Sequence, residues 1–170
     1  EDMIERNGSG IVGMITNNGF LDNPTFRGMR WHLARTFDKI FVVNLHGNAK
    51  KRETAPDGGK DENVFDIMQG VSIMIAVKNN TKQAEFADVH YQDIFGLRQD
   101  KFDQLGTELT FEKIKLDQKM FYFVAKDTKG QEDYEKGILL NELMPVNTAG
   151  IVTMGDSFII SEWPESIRDR

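Results

Sequence analysis

Three short runs of apolar, β-prone residues constrain the fold of this chain most strongly. They are Gly10–Thr16 (Gly-Ile-Val-Gly-Met-Ile-Thr), Ile40–Leu45 (Ile-Phe-Val-Val-Asn-Leu) and Val71–Val77 (Val-Ser-Ile-Met-Ile-Ala-Val). Each has strand length, and each is apolar at successive positions, as strands buried on both faces of a parallel sheet are. Between the first two, Met29, Leu33 and Phe37 recur at helical spacing, with Arg27, Arg30 and Arg35 interleaved. Asn23 before Pro24 marks a helix start, and the pattern predicts an end near Lys39. Strand, helix and strand at crossover length predict an α/β fold with a mixed, mainly parallel sheet. Two more strands are predicted at Ala87–Phe95 and Phe111–Val124, around a helix near Gln99–Leu105. From Gln131 the texture changes to an acidic patch, followed by Met144-Pro145-Val146-Asn147 and Gly150-Ile151-Val152-Thr153. A boundary near residue 127 is therefore predicted, with 128–170 a linker into a further element.

Bulk properties narrow the class. At 170 residues and 39% hydrophobic content the chain can bury a real core. No apolar stretch approaches the ~20 residues that span a bilayer, so no membrane role is expected. The opening Glu1-Asp2-Met3-Ile4-Glu5-Arg6 lacks the basic start and apolar run of a signal peptide. With no Cys there is no disulfide, no thiolate zinc site and no Cys nucleophile, which fits a reducing cytoplasm. The absence of Met at position 1, in a segment leading towards a strand, reads as a piece of a longer polypeptide. A net charge of −6 opposes nucleic-acid binding over the surface as a whole, but local charge decides such contacts. The densest basic cluster is Lys50-Lys51-Arg52 with Lys60, inside the polar stretch 46–63 that carries three Gly and almost no apolar side chain. A loop of that length in a compact domain is usually functional or mobile.

Several motifs carry less than they suggest. Gly8-Ser9-Gly10-Ile11-Val12-Gly13 matches the dinucleotide-binding string, but that motif needs a strand before it and a helix after it. Here a strand follows, so the glycines read as a turn feeding that strand. His32, His46 and His90 lie in separate elements without metal-ligand spacing. Pro56-Asp57 with Lys60-Asp61-Glu62 offers the residue types of a metal nuclease, yet sits in a Gly-rich loop and reads as a solvated turn. His46-Gly47-Asn48 follows a strand end, where open α/β sheets place ligands, which makes His46 and Asn48 pocket candidates. Lys50, Lys51, Arg52 and Lys60 form either a solvated loop or a phosphate grip over that edge. Phe65 either packs under the loop or offers a flat face for stacking a base.

Longer strings then resemble a known family. Gly19-Phe20-Leu21-Asp22-Asn23-Pro24-Thr25-Phe26-Arg27-Gly28-Met29-Arg30 is similar to a stretch of the single-chain type ISP restriction–modification enzymes. So are Leu45-His46-Gly47-Asn48-Ala49-Lys50-Lys51 and Asp61-Glu62-Asn63-Val64-Phe65-Asp66-Ile67, and the likeness returns at Gly150–Thr153 with Asp156 and Phe158. In that family a nuclease and a helicase precede an adenine-specific DNA methyltransferase and a target-recognition domain. The resemblance implies that 1–127 is the C-terminal part of a Rossmann-like methyltransferase domain, and 128–170 a linker and the start of target recognition. It implies double-stranded DNA and the remainder of a parent polypeptide as partners, and S-adenosylmethionine as the parent's cofactor. The family's cofactor-binding half and its Asn-Pro-Pro-Tyr motif are not in this sequence. Asn23-Pro24-Thr25-Phe26 only echoes that motif, at a later point in the family's order, so no catalytic residue is assigned. Val64-Phe65 before Val71–Ile75 looks like the segment where related enzymes set an aromatic against the extruded base, which makes Phe65 the stacking candidate. The alternative is an autonomous, non-catalytic DNA-recognition or interaction module.

Overall fold

The computed structural model describes residues 2–79, 84–126, 130, 133 and 136–144. The chain divides into two compact units, Glu1–Asp127 and Thr128–Arg170. In the first, a short helix α1 (Asp2–Asn7) leads into β1 (Gly10–Asn17), and α2 (Arg27–Thr36) connects β1 to β2 (Lys39–His46). Then come β3 (Val71–Lys78), β4 (Asp88–Asp93), α3 (Arg98–Leu105) and β5 (Glu112–Ile114). In the second unit the described residues include one short helix, α4 (Leu140–Leu143), and a Lys136–Asp133 ion pair at 2.7 Å. The segment Gly150–Thr153 with Asp156 and Phe158 lies outside the described residues.

The five strands form one mixed sheet in the order β1-β3-β2-β4-β5. The mixed α/β class is as predicted, but the parallel majority is not observed. Of the four strand pairs only β2–β4 is parallel; β3 runs against both β1 and β2, and β5 against β4. A parallel neighbour needs a crossover that returns the chain to the opposite edge. The polar segment between β2 and β3 contains no such crossover, so it leaves and re-enters the sheet at one edge. Apolar continuity reports burial on both faces, which β3 and β2 have, and says nothing of direction. Because β1 and β2 both oppose β3, they run the same way, and the strand–helix–strand crossover survives with β3 wedged inside it.

Both faces of the sheet are packed. On one, Ile40, Val42, Met74, Ala76 and Val89 meet Ala34 and Phe37 from α2 and its end, with Phe20, Leu21 and Phe123. On the other, Val43, Leu45, Val71 and Ile94 form a second cluster under Leu105 of α3. Burying such side chains contributes about 1.5–3 kcal/mol each. β1 is a sheet edge, and its Ile11 and Ile15 stay exposed.

The predicted strand Phe111–Val124 shortens to β5. After it, Asp117 turns the chain: its carboxylate accepts the backbone N–H groups of Lys119 and Met120, each at 3.0 Å. Phe121 takes a left-handed φ of 54° and, with Phe123, inserts into the core, where Phe123 N–H reaches the Leu21 carbonyl at 2.9 Å. Arg30 of α2 clamps this strap. Its Nε donates to the Phe121 carbonyl at 2.9 Å, Nη2 to Met120 at 2.8 Å, and Nη1 to Phe20 at 2.7 Å and Asn23 at 2.8 Å.

The glycine string lies between α1 and β1, with Gly10 and Gly13 inside the strand, so helix precedes strand and no dinucleotide cradle forms. The opening residues Asp2–Asn7 form a helix that leads directly into β1.

Candidate functional site

The C-terminal ends of β1, β2 and β4 meet at one edge of the sheet, together with the start of β3. Open α/β sheets place ligands at such edges. At the end of β2 the register with β3 shifts between Asn44 and His46, a bulge that leaves Leu45 without a partner. His46 then adopts a left-handed φ of 50° and Gly47 a φ of 75°, which lifts the chain off the sheet. A Cβ on Gly47 would sit 2.5 Å from the Asn63 Cα, so only glycine fits this turn.

A polar chain runs along that edge. Asn18, just past β1, donates to the Asn44 side-chain oxygen at 3.0 Å, and Asn44 donates to the Tyr91 hydroxyl at 3.0 Å. The Tyr91 hydroxyl donates to Asp93 at the end of β4, and the same carboxylate oxygen lies 2.5 Å from His46 Nε2. His46 Nδ1 meets Glu53 at 2.8 Å, and the other oxygen of Glu53 accepts the Asn48 N–H at 3.0 Å. The imidazole is stacked on Phe95, with ring centroids 3.8 Å apart. Burial disfavours its charge, but the hydrogen bonds and charges of Asp93 and Glu53 outweigh burial and hold its pKa above the ordinary 6.5. Burial first, then Asp93, push the Tyr91 phenol up, so it stays a donor.

The segment 46–70 is a built scaffold. At its centre the Asp61 carboxylate accepts the N–H groups of Gly47 at 2.6 Å and Gly96 at 3.0 Å, and pairs with Lys101 at 2.7 Å. Both side chains are wholly buried. Lys101 also donates to the carbonyls of Leu45 at 2.7 Å and Glu62 at 2.6 Å. The solvated turn predicted for Lys60-Asp61-Glu62 is therefore corrected at Asp61, whose carboxylate is the hub that orders the loop. Asn63 adds bonds to the Gly47 and Gln69 carbonyls. No group of three His, Asp or Glu side chains fit to hold a metal ion occurs among the described residues.

On this scaffold the predicted residues separate. Lys50, Lys51 and Arg52 lie together on a 3-10 turn, exposed and without an ion-pair partner among the described residues. Asn48 caps the turn by accepting the Lys51 N–H at 3.1 Å. Lys60 is apart from them on a small hairpin bridge with Thr54, its ammonium 2.6 Å from Glu62. His46 is largely covered and fully engaged, so it serves the polar chain rather than an open pocket. Phe65 is 44% exposed, beside Ile67 at 47% and Met68 at 54%. The Lys50 N–H approaches the Met68 carbonyl at 3.5 Å, which sets the basic turn beside this apolar stretch.

Sequence reasoning missed Asn18, Asn44, Glu53, Tyr91, Asp93 and Lys101, and read Asp61 as part of a solvated turn. A polar Asn44 inside an apolar run was the one local signal, since buried polar side chains seldom occur without a partner. The Asp61–Lys101 pair is long-range and left no trace in spacing.

A separate cavity of 660 Å³ lies between β1 and α2, lined by Val12, Met14, Leu33, Phe37 and Met74, with Thr16, Asn17 and Asn23 as its polar side chains. It has no carboxylate in its lining. No helix among the described residues is long and apolar enough to cross a membrane.

These features define an open mixed α/β sheet whose strand-end edge carries a hydrogen-bonded loop with a basic turn and an exposed aromatic. No family description matches the sequence, and no curated protein matches it. Solved structures that share its fold include the following three. The DrdV–DNA complex matches with a TM-score of 0.59 and 26% identity, over 74% of this chain and 13% of that one. The ATP-dependent type ISP restriction-modification enzyme LlaBIII bound to DNA matches with a TM-score of 0.59 and 31% identity, over 73% of this chain and 9% of that one. A nuclease-deletion mutant of the type ISP enzyme LlaGI with a DNA substrate mimic gives 0.58 and 24%, over 74% of this chain and 12% of that one. This last likeness speaks to fold alone. The chain spans only a small part of the length of each.

Proposed function

We propose that this chain is a DNA-contacting part of a restriction–modification enzyme, the C-terminal part of its adenine N6-methyltransferase domain. The observation that carries the proposal is the likeness to DNA-bound LlaBIII, at 31% identity over 73% of the chain. In this reading Lys50, Lys51 and Arg52 hold phosphates, with Lys60 a more distant contact, and Phe65 stacks the extruded adenine. Extrusion is needed because the exocyclic nitrogen is buried in the duplex and must be aimed in line at a methyl donor. His46 and Asn48 act through the shape of the turn. DNA as partner favours a cytoplasmic setting.

S-adenosylmethionine is the donor that such chemistry uses, and the residues here do not fit it. Its ribose hydroxyls and ammonium call for carboxylate acceptors, whereas the cavity beside β1 offers apolar side chains, the Thr16 hydroxyl and two carboxamides, and no carboxylate. The cofactor and the aiming motif are therefore assigned to the remainder of the parent polypeptide.

The test is fluorescence anisotropy of the 170-residue chain with a labelled duplex, across salt. Weak, salt-steep binding that is lost on reversing the charge of Lys50, Lys51 and Arg52 supports the proposal. Tight, site-specific binding by this chain alone favours an autonomous recognition module. Methyl transfer from labelled S-adenosylmethionine by the chain alone would overturn the assignment of the cofactor elsewhere.

A further inference from the structure

We infer that His46 is the positioning residue of the basic turn: as an imidazolium bonded to Asp93 and Glu53 at once, it clasps the turn to the end of β4, and loss of its proton releases it. The inference rests on the proposed DNA role of that turn only for its functional consequence.

The geometry demands the charged ring. Two carboxylate oxygens face the two ring nitrogens, at 2.8 Å and 2.5 Å. Carboxylates only accept, and a neutral imidazole has one N–H to give. Without the second proton a nitrogen lone pair would point at a carboxylate in a largely covered site. The groups that face His46 are Glu53 from the loop and Asp93 from β4, with Tyr91 behind Asp93 and the apolar Phe95 against the ring.

The two contacts differ in what holds them. Asp93 keeps the Tyr91 hydroxyl, itself fixed through Asn44 and Asn18. Glu53 keeps only backbone partners: its carboxylate takes the Asn48 N–H at 3.0 Å, and its own N–H reaches the Asn48 carbonyl at 3.2 Å. The Glu53 side is therefore the one that opens. Residues 48–53 are the turn that carries Lys50, Lys51 and Arg52, closed by its own bonds from Lys51 to Asn48 and from Arg52 to Ala49, so opening the clasp frees the turn to move as a unit away from the end of β4.

The experiment follows the full 170-residue chain by ¹⁵N NMR from acid to mildly alkaline pH. Both His46 ring nitrogens carry protons at the acid end, and the amides of Asn48, Lys51 and Arg52 shift with the midpoint of His46. In His46→Gln those amides lose the step. In Glu53→Gln, which keeps a side-chain acceptor, the His46 midpoint falls and the step shrinks. Unmoved turn amides while His46 titrates, or a step that persists in His46→Gln, would overturn the clasp. Duplex affinity at fixed ionic strength drops roughly fivefold through the same midpoint in the native chain and not in His46→Gln. An amide step without an affinity step leaves the clasp standing and removes the basic turn from the DNA interface.

Discussion

The ammonium of Lys101 on α3 lies 2.7 Å from the carboxylate of Asp61 in the long loop, and neither side chain reaches solvent. This contact, with the Lys101 bond to the Glu62 carbonyl, ties the loop that carries the basic turn to a helix beyond β4. Breaking one partner strands the other charge in a buried site. Lys101→Met is expected to cost about 3–5 kcal/mol in urea unfolding. Asp61→Asn with Lys101→Met should recover part of that loss, because no buried charge then remains. Simple additivity of the two single changes would contradict this.

Gly47 and Gly58 both have left-handed backbone, with φ of 75° and 83°, but only Gly47 is crowded by a neighbouring backbone. Gly58→Ala should cost about 1 kcal/mol from backbone conformation alone. Gly47→Ala should cost about 3 kcal/mol, or shift the 61–63 backbone, because strain and clash combine. Equal losses on thermal unfolding would show that the approach of Asn63 to Gly47 is slack.

Arg30 is fully buried and donates to the carbonyls of Phe20, Asn23, Met120 and Phe121. Burial lowers its pKa below the ordinary arginine value, with Tyr122 and Asp22 opposing. A lysine has neither the reach nor the fork for these positions. Arg30→Lys is expected to cost about 2–4 kcal/mol and to raise hydrogen exchange at Phe121 and Phe123 before the rest of the core. Unchanged exchange there would deny the clamp.

The pH dependence of stability has a defined sign. His46 has a raised pKa, so its contribution is complete below the ordinary 6.5 and is lost as pH rises through the raised value. His90, lowered mainly by burial, works the other way, since folding resists its charge and stability falls as pH drops below 6.5. Asp88, lowered chiefly by its hydrogen bond to Lys113, contributes above 3.8 and loses that as pH falls through its depressed value. The Tm difference between the native chain and His46→Gln should therefore shrink on the alkaline side. A difference constant from pH 5 to about 9 would show no linkage at His46.

Much of the framework was legible because periodicity reports burial. Gly10–Thr16, Ile40–Leu45 and Val71–Val77 became strands within a residue or so, and the helix predicted near Gln99–Leu105 is Arg98–Leu105. The direction of β3 was not legible, since it depends on where the intervening loop returns the chain. Phe121 and Phe123 read as strand residues, yet they enter the core from a strap shaped by Asp117 and gripped by Arg30. At the site, the basic turn and Phe65 were visible as residue types in a polar loop. What orders that loop was not, because Asp61 and Asp93 find partners across the fold and the chain's reversal at His46, which brings Glu53 back to it, leaves no local signal.

The wedged position of β3 also bears on how this sheet assembles. Its N-terminal half pairs Val71 with Asn17 on one side and with His46 on the other, and at its far end Lys78 meets Gly10. Until β3 arrives, β1 and β2 have no strand between them to bond to, however well α2 has formed. The closing step is thus a distant one whose loop entropy precedes its reward, which makes folding slow for a chain of this size. Substitutions such as Met74→Ala should slow refolding more than they speed unfolding.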